Sequence, residues 1–246
     1  ANKFLKEGCC VILTDIDSRA LQKTKENFQN KFGSDVVKSI VMDVTNENDV
    51  KKAVDESINI FGGIDILVAN AGFASAAPFD KTSSKLWDKN MAVLSKGCFL
   101  ISREVYSQMM RQNMGGSIIF ISSKNSLSAS KGASAYSVAK SSLLHLSRSI
   151  ALEGAEYKIR SNIINPDAVI QNSRIWSGDW KKQRAAGNKI PINKVEEFYK
   201  NRSLLKVSVL PEDIAEGIYF FASSKSKKST GNIINIDGGN ITSFTR

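Results

Sequence analysis

Residues 64–69 read IDILVA and are followed by Asn-Ala-Gly, and this short β-branched run sets the pattern that decides the fold. Similar apolar runs, each bounded by Gly, Asp or Asn, recur at 9–14, 37–42, 117–122, 159–164 and 232–236. Runs of this kind predict strands that are buried on both faces. Segments of helical period lie between them, at 17–31, 46–60, 83–113, 126–156 and 211–223. This alternation predicts a single α/β domain over residues 1–246, with a doubly wound parallel sheet and helices on both faces.

The composition narrows the classes of function. Of the 246 residues, 42% are hydrophobic and 24% are charged, as in an ordinary globular protein, and no apolar run is long enough to cross a bilayer. Cys9, Cys10 and Cys98 form no paired framework, so we expect free thiols in a reducing cytoplasm. One histidine and no Cys/His cluster argue against a metal site. The net charge of +10 comes from scattered lysines without a nucleic-acid motif, which favours a solvated surface over nucleic-acid binding.

The strongest chemical signal is the set Ser123, Tyr136 and Lys140. Tyr136 and Lys140 lie one helical turn apart in AYSVAK and therefore share one helix face. Ser123 closes the strand run SIIFISS, at the carboxyl edge where open α/β sheets bind ligands. A phenol exchanges a proton near neutral pH only when its pKa falls from about 10, and a nearby lysine ammonium favours that change. A serine hydroxyl beside the pair is suited to hold a substrate oxygen.

A serine followed by Tyr-x-x-x-Lys resembles the catalytic pattern of the short-chain dehydrogenase/reductase family, whose fold is of the Rossmann type. The resemblance implies an NAD(P)-dependent oxidoreductase. In it, Tyr136 is the general acid/base, Lys140 activates Tyr136 and binds the cofactor ribose, and Ser123 donates to the substrate oxygen. The resemblance also implies a homo-oligomer built on the long helices at 83–113 and 126–156.

Cofactor-binding residues are expected at the carboxyl ends of the strands. Asp15 ends VILTD, where an acid accepts hydrogen bonds from ribose hydroxyls and repels a 2′-phosphate, so NAD is favoured over NADP. Arg19 weakens this preference, and N-capping of the next helix by Asp15 and Asp17 is the alternative interpretation. The full expected set is Asp15, Ile16, Asp43, Val44, Asn70, Ala71, Gly72, Tyr136, Lys140 and Pro166.

The first eight residues, ANKFLKEG, look like the second half of a helix that ends at Gly8. In a dinucleotide-binding domain that helix follows a first strand and a glycine-rich turn, and neither precedes Ala1 here. Because that strand is central, we expect the strands at 9–14 and 64–69 to lack their shared neighbour. Our hypothesis is that the domain is N-terminally incomplete and that the natural polypeptide continues upstream.

Two positions depart from the family pattern. Leu94 stands where many members carry a catalytic asparagine, and Asn90 lies one turn earlier on the same helix face. The Pro-Gly pair that usually follows the sixth strand is Pro166-Asp167 here. These departures bear on the relay of the proton to solvent and on the placement of the nicotinamide.

From about residue 87 onward the chain is similar to the C-terminal dehydrogenase part of bifunctional rhamnulose-1-phosphate aldolase/short-chain dehydrogenase proteins. The likeness is carried by SSKN at 122–125, ASAYSVAK, LHLSRSIALEG, NPDAVIQNSRIWSGDW, EEFYKNRSLLK and the terminal DGGN and FTR. It implies oxidation of lactaldehyde to lactate with NAD, as in rhamnose breakdown, and an upstream aldolase domain as a partner in the parent chain.

The segment 170–209 is long for a connection and is predicted to be a lid over a small polar or anionic substrate. The expected substrate contacts are Ser123, Asn125, Asn172, Arg174 and Trp176. The alternative is an amphipathic surface helix with its tryptophans packed underneath. Other functions stay open: a sugar or polyol dehydrogenase, a 3-oxoacyl reductase, or a catalytically degenerate binding or scaffold module.

Overall fold

The computed structural model describes residues 1–244; Thr245 and Arg246, the end of the FTR motif, lie outside the described residues. The strands are β1 (Val11–Asp15), β2 (Val37–Val41), β3 (Ile66–Ala69), β4 (Gly116–Ile121), β5 (Ile159–Pro166) and β6 (Ile233–Ile236). The helices are α1 (Asn2–Lys6), α2 (Ser18–Phe32), α3 (Glu47–Phe61), α4 (Ser84–Asn90), α5 (Gly97–Gln112), α6 (Ser134–Gly154), α7 (Asp179–Gly187), α8 (Val195–Arg202) and α9 (Pro211–Ala222). Each predicted strand and helical segment is found, and α7 and α8 lie within the segment 170–209. Among the described residues, no helix combines the length and the apolarity needed to cross a membrane.

The six strands form two parallel sheets. β1 pairs with β2, with Val11 opposite Val37, and β3, β4, β5 and β6 pair in that order. Within residues 1–244, no strand pairs with the second edge of β1 or with the second edge of β3. This agrees with the prediction that these two strands lack a shared neighbour. The parallel order, with helices in the crossovers, confirms the α/β fold class.

Helices cover the four-stranded sheet on both faces. Phe120 of β4 packs with Leu143 of α6 in one core, and Ile119 packs with Phe221 of α9 in the core on the other face. β4 is therefore buried on both faces, as predicted. β1, β2, β3 and β6 are only partly buried, so the prediction of full burial is wrong for them, because each has a neighbouring strand on one edge only among the described residues.

Helix boundaries follow the local cap chemistry. Asn46 caps α3 by accepting hydrogen bonds from the backbone N–H groups of Asn48 and Asp49. Pro211 occupies the first turn of α9, where its missing N–H costs no helical hydrogen bond. Gly8 adopts a φ of +82°, the left-handed conformation expected after the end of α1. The start and stop signals in the sequence therefore place these helices correctly.

The two long predicted helices are modified beside the candidate site. α6 begins at Ser134 and not at 126, because a 3-10 turn at Lys124–Ser126 and a loop through Gly132, at a φ of +68°, precede it. The long helix before β4 is divided into α4 and α5 by a π-helical turn at Met91–Lys96. Both modifications lie at the carboxyl edge of the sheet.

The segment 170–209 forms a small helical subdomain with its own hydrophobic core. Val195 and Tyr199 of α8 are buried together with Ala185 of α7, and Trp176 packs against this cluster. Within the segment, Trp176 and Tyr199 meet edge to face at 5.2 Å between ring centroids. The packing holds α7 and α8 together as one unit beside the carboxyl ends of β4 and β5.

Candidate active site

Ser123, Tyr136 and Lys140 meet where β4 ends and α6 begins. The Ser123 hydroxyl accepts a hydrogen bond from the Asn125 N–H at 3.2 Å and is the side-chain hydrogen-bond partner of Tyr136. Lys140, one turn after Tyr136, is only 6% exposed, and its Nζ donates to the Ile121 carbonyl at 2.7 Å. The structure therefore brings the predicted catalytic set together.

The protonation of this set differs from the sequence-based expectation. Burial raises the pKa of the Tyr136 phenol, the hydrogen bond from Ser123 partly opposes this, and the charge of Asp167 raises the pKa further. Burial also lowers the pKa of Lys140. The expectation that Lys140 lowers the pKa of Tyr136 is not met, because the ammonium is directed to the Ile121 carbonyl and desolvation outweighs the other effects.

A tryptophan of the lid covers Tyr136. Trp180 is 9% exposed, and its ring lies 5.7 Å from that of Tyr136, centroid to centroid. Tyr136 as a whole stays partly exposed, while its hydroxyl end is desolvated. The sequence places Trp180 in the lid but does not identify it as the residue in contact with the catalytic phenol.

Two further residues of α7 attach the lid to the rest of the domain. Gln183 Oε1 accepts a hydrogen bond from the Ala76 N–H at 3.1 Å. Arg184 donates to the Lys131 carbonyl at 2.9 Å and to the Tyr199 hydroxyl at 3.1 Å. Trp180, Gln183 and Arg184 have the i, i+3, i+4 spacing of one helix face, and that spacing is the signal by which sequence reasoning could have found them.

Asn125, a predicted substrate contact, lies two residues after Ser123 within a buried polar cluster. Its Oδ1 accepts a hydrogen bond from the Ser130 hydroxyl at 3.0 Å. The Ser130 hydroxyl in turn accepts from Lys124 Nζ at 2.9 Å. Lys124 and Asn125 are 7% and 6% exposed, so both are nearly buried beside Ser123. Sequence reasoning missed Lys124, although it stands within the quoted SSKN.

The carboxyl ends of β1 and β2 present the acids expected for the adenosine half of a dinucleotide. Asp15 is exposed, and its Oδ1 accepts from the Asp17 N–H at 2.9 Å. Asp17 caps α2 by accepting from the Ala20 N–H at 3.0 Å, so the capping interpretation holds for Asp17. Asp43 Oδ1 accepts from the backbone N–H and the hydroxyl of Thr45, both at 2.8 Å. The second carboxylate oxygens of Asp15 and Asp43 remain available as acceptors for ribose or adenine groups.

Apolar and small residues complete this edge of the sheet. Ile16, just after Asp15, exposes 66% of its surface, and Val44 packs against the start of α5 at Gly97. Asn70, Ala71 and Gly72 are exposed directly after β3, and Pro166 ends β5. A carboxylate can accept hydrogen bonds from the ribose hydroxyls, and the exposed apolar and small residues beside it can contact the flat base. These residues therefore fit the adenosine half of the predicted dinucleotide.

Gly72, which the sequence analysis predicts as a cofactor contact, also has a role in packing. A Cβ at Gly72 would lie 2.9 Å from Leu94 Cδ2, and Leu94 is fully buried. The missing side chain therefore makes room for Leu94, the residue at the usual asparagine position. Asn90 does not compensate, since its side-chain amide donates to Ser75 Oγ at 3.0 Å and to the Leu86 carbonyl at 2.7 Å.

Three predicted substrate contacts lie elsewhere in the structure. Arg174 donates to Asp17 at 2.8 Å, at the cofactor end of the cleft. Asn172 is exposed on the lid with a φ of +57°. Trp176 packs against Trp180 at 6.1 Å between ring centroids and belongs to the lid core, as the alternative interpretation stated. The sequence shows that the lid has aromatic and cationic side chains. Which of them contact Tyr136 depends on how α7 packs.

Asp167, which replaces the usual glycine, connects the end of β5 to the lid. Its carboxylate pairs with Arg202 of α8 and accepts from Asn240 Nδ2 at 2.9 Å. Arg202 also lies over the Tyr199 ring, at 4.5 Å from the centroid. Within residues 1–244, no group of His, Cys, Asp and Glu side chains is arranged to hold a metal ion.

The fold and this edge define the class of protein: a dinucleotide-dependent oxidoreductase with a serine, a tyrosine and a lysine at the carboxyl end of a parallel sheet. Residues 1–240 match the family model described as enoyl-(acyl carrier protein) reductase. The chain belongs to the short-chain dehydrogenase/reductase family.

The relatives of the chain are oxidoreductases. The uncharacterized oxidoreductase YuxG of Bacillus subtilis (strain 168) is 48% identical over 244 residues, which are 99% of this chain but only 35% of YuxG. The sorbitol-6-phosphate 2-dehydrogenase of Escherichia coli (strain K12) is 32% identical over 238 residues, 96% of this chain and 90% of that protein. The crystal structure of the sorbitol-6-phosphate 2-dehydrogenase SrlD from Erwinia amylovora matches with a TM-score of 0.90 and 30% identity, over 96% of this chain and 91% of that one. Solved structures with this fold hold either NAD⁺ or NADP(H), so the likeness leaves the choice of cofactor open.

Proposed function

We propose that the protein is a dehydrogenase that exchanges a hydride between a small hydroxylated substrate and NAD, with NADP as the less favoured cofactor. The observation that carries the proposal is the convergence of Ser123, Tyr136 and Lys140 under the lid tryptophan. When bound, the nicotinamide accepts the hydride of the substrate carbinol or returns it to a carbonyl. The preference for NAD is supported by the exposed Asp15 carboxylate at the end of β1.

The residues of the chain handle the proton and the substrate oxygen. In the oxidative direction the Tyr136 oxygen takes the hydroxyl proton of the substrate, and in the reductive direction it returns that proton. The Ser123 hydroxyl donates a hydrogen bond to the same substrate oxygen. Lys140 lies one turn from Tyr136 and would hold the cofactor ribose; an ammonium in that position would favour the phenolate. Trp180 and α7 exclude water from this transfer.

The first substrate candidate is lactaldehyde, oxidised to lactate in rhamnose breakdown. It rests on the likeness of the sequence to the dehydrogenase part of the bifunctional aldolase proteins, and an aldolase domain of the parent chain would supply the aldehyde. In this reaction the aldehyde hydrate gives up its hydride from carbon, while Tyr136 takes the proton from one of the two hydroxyl groups.

The second candidate is a sugar or polyol dehydrogenase whose substrate carries a phosphate. It is favoured by the buried Lys124 beside Ser123, together with Arg184 and Arg202. The name of the sorbitol-6-phosphate 2-dehydrogenase relative agrees with this chemistry. A 3-oxoacyl reductase is less favoured, because Asp15 opposes the 2′-phosphate of NADPH.

We also propose that the protein is a cytoplasmic homo-oligomer. The free thiols of Cys9, Cys10 and Cys98 suit a reducing compartment. Apolar side chains on α5 and α6 support the oligomer, since Phe99 is 43% exposed and Leu152 is 81% exposed.

The test is cofactor reduction, followed by the absorbance of NADH or NADPH, with lactaldehyde beside polyols, polyol phosphates and hydroxyacyl thioesters. We expect turnover of at least one substrate class, faster with NAD than with NADP, and Tyr136→Phe should lower kcat by about 10²- to 10⁴-fold while cofactor binding is retained. Turnover of lactaldehyde alone supports the first candidate, and turnover of a polyol phosphate supports the second. Turnover that persists in Tyr136→Phe contradicts the assignment of the base, and absence of both turnover and cofactor binding favours a scaffold module.

A further inference from the structure

Lys124 is a buried cation for which the proton chemistry of the site has no use. It follows Ser123 directly, is 7% exposed, and its Nζ makes one side-chain hydrogen bond among the described residues, to Ser130 Oγ at 2.9 Å. An ammonium has three donors, so the neutral hydroxyl of Ser130 satisfies only part of its capacity. Burial lowers the pKa of Lys124, as expected for a cation without a counter-ion in contact.

Two arginines add positive charge around Lys124. Arg184 is 8% exposed, and among residues 1–244 it donates only to neutral oxygens, those of Tyr199 and Lys131. Arg202 pairs with Asp167, but its Nε is buried without a hydrogen-bond partner in the described part of the chain. Asp167 is the acid close enough to raise the pKa of Lys124, while Arg184 and Arg202 both lower it. Among these four side chains three are basic and one is a carboxylate, so the basic groups are in excess.

The three basic side chains are linked through shared partners. Arg184 donates to the carbonyl of Lys131, the residue that follows the Lys124 partner Ser130. Arg184 also donates to the Tyr199 hydroxyl, and Arg202 lies over the Tyr199 ring. Arg184 belongs to α7, whose Trp180 covers Tyr136, and Arg202 ends α8. The cations thus come from the lid and from the loop after β4, next to Ser123 and Tyr136.

We propose that Lys124, with Arg184 and Arg202, binds an oxyanion that the substrate carries apart from its reacting carbinol. The inference rests on the proposed dehydrogenase function and deepens it, because it selects substrates with a carboxylate or a phosphate over neutral polyols and aldehydes. Of the two substrate candidates it therefore favours the second, the phosphorylated sugar or polyol, over lactaldehyde. Such an oxyanion offers lone pairs to the unused donors of Lys124 and Arg202 and compensates the unbalanced charge. A neutral hydroxyl does neither.

The alternative is that Lys124 has a structural role only, in which its hydrogen bond to Ser130 stabilises the loop before α6. The variants Lys124→Met and Ser130→Ala separate the two roles. Lys124→Met keeps the apolar stem and removes the charge, whereas Ser130→Ala breaks the same hydrogen bond and keeps the charge. If Lys124 only stabilises the loop, Lys124→Met and Ser130→Ala should change kcat/KM similarly. If Lys124 binds an anion, only Lys124→Met should lower kcat/KM for the charged substrate.

The kinetic test uses substrate pairs that differ in the anion: sorbitol 6-phosphate with sorbitol, and glycerate with glycerol. We expect the wild-type chain to prefer the charged member of one pair, which also tells phosphate from carboxylate. Lys124→Met should lower kcat/KM for that member roughly 10- to 100-fold, mainly through KM, and leave the neutral member near its wild-type value. Ser130→Ala should keep the preference. Equal losses for charged and neutral members in Lys124→Met would overturn the inference.

A binding test is independent of turnover. Inorganic phosphate and malonate are titrated at constant ionic strength, with the fluorescence of the lid tryptophans as the signal, since Trp180 lies on α7 with Arg184. We expect saturable binding of one anion and a dissociation constant at least about 10-fold weaker in Lys124→Met. No saturable binding of either anion, or equal binding by the variant, overturns the inference while a dehydrogenase activity stands. Anion binding without any turnover supports the site and counts against the proposed function.

Discussion

Replacing Trp180 by alanine tests whether the lid controls the protonation of Tyr136, the proposed general acid/base. Trp180 is 9% exposed, with its ring 5.7 Å from that of Tyr136. A side chain of this kind buries about 200 Å², so at ~25 cal/mol per Å² its loss destabilises the closed lid by roughly 5 kcal/mol. The hydrogen bonds made by Gln183 and Arg184 contribute about 1 kcal/mol each and do not replace it. We therefore expect α7 to detach from Tyr136.

Detachment gives water access to the phenol. Burial is the largest cause that raises the pKa of Tyr136, so Trp180→Ala should lower that pKa. Alcohol oxidation needs the deprotonated phenol, and its rate rises as the pH increases through this pKa. The rising limb of kcat/KM should therefore move to lower pH, which a profile of NADH formation between about pH 6 and about pH 11 measures.

A matched tryptophan provides the control. Trp87 lies on α4, outside the lid, and is 37% exposed, so Trp87→Ala should keep the wild-type profile. Trypsin reports on the lid directly, because Lys181 and Lys182 follow Trp180 in α7 and should be cleaved faster in Trp180→Ala. Faster cleavage with an unmoved pH profile would refute the reasoning, since the lid would then have opened without changing the pKa of Tyr136.

Three further predictions concern the site and the surface. Gly72→Ala places a Cβ 2.9 Å from Leu94 Cδ2, so it should lower the free energy of unfolding in urea by about 1–3 kcal/mol; an unchanged midpoint would mean that Leu94 moves aside freely. Ser123→Ala removes the hydrogen bond that lowers the pKa of Tyr136, so the rising limb of the residual kcat/KM profile should move to higher pH than in the wild type. A shift of that limb to lower pH would contradict this role. Leu152 is 81% exposed on α6, so Leu152→Glu should reduce the mass measured by light scattering if α6 lies in the interface; a wild-type monomer would disprove the homo-oligomer.

Much of the fold is predictable because its signals are local. The short apolar runs locate β1 to β6, because a β-branched apolar run bounded by Gly, Asp or Asn favours a buried strand. Residues such as Asn46 and Pro211 locate helix starts, because the conformation and hydrogen bonding of the first turn depend on residues close in sequence. The start of α6 is the exception. Its early residues have helical period, but the 3-10 turn capped by Ser123 and the loop through Gly132 are stabilised by contacts with distant segments, such as the Ala77 N–H on the Gly132 carbonyl at 2.9 Å.

The candidate catalytic set is predictable for the same reason. A residue at the end of a parallel strand lies at the carboxyl edge, and an i, i+4 pair lies on one helix face, so the sequence places Ser123 at that edge and Tyr136 beside Lys140. The packing of α6 against β4 then brings Ser123 close to Tyr136. The sequence-based prediction of the site fails where a residue's role depends on its ion-pair partner. Arg174 was assigned to the substrate by its position in the lid, but its guanidinium pairs with Asp17, far away in sequence.

The sequence by itself determined the α/β fold class and which residues lie at the carboxyl edge of the sheet, among them the candidate set Ser123, Tyr136 and Lys140, because periodicity and strand ends decide position along an element. Only the tertiary structure decided that Trp180 covers Tyr136, that Lys140 is directed to the Ile121 carbonyl, and that Lys124 is buried. These features depend on how α6, α7 and the loop after β4 pack against one another. Burial and hydrogen-bond partners then determine the pKa of each group, and neither quantity is encoded in the spacing of residues along the chain.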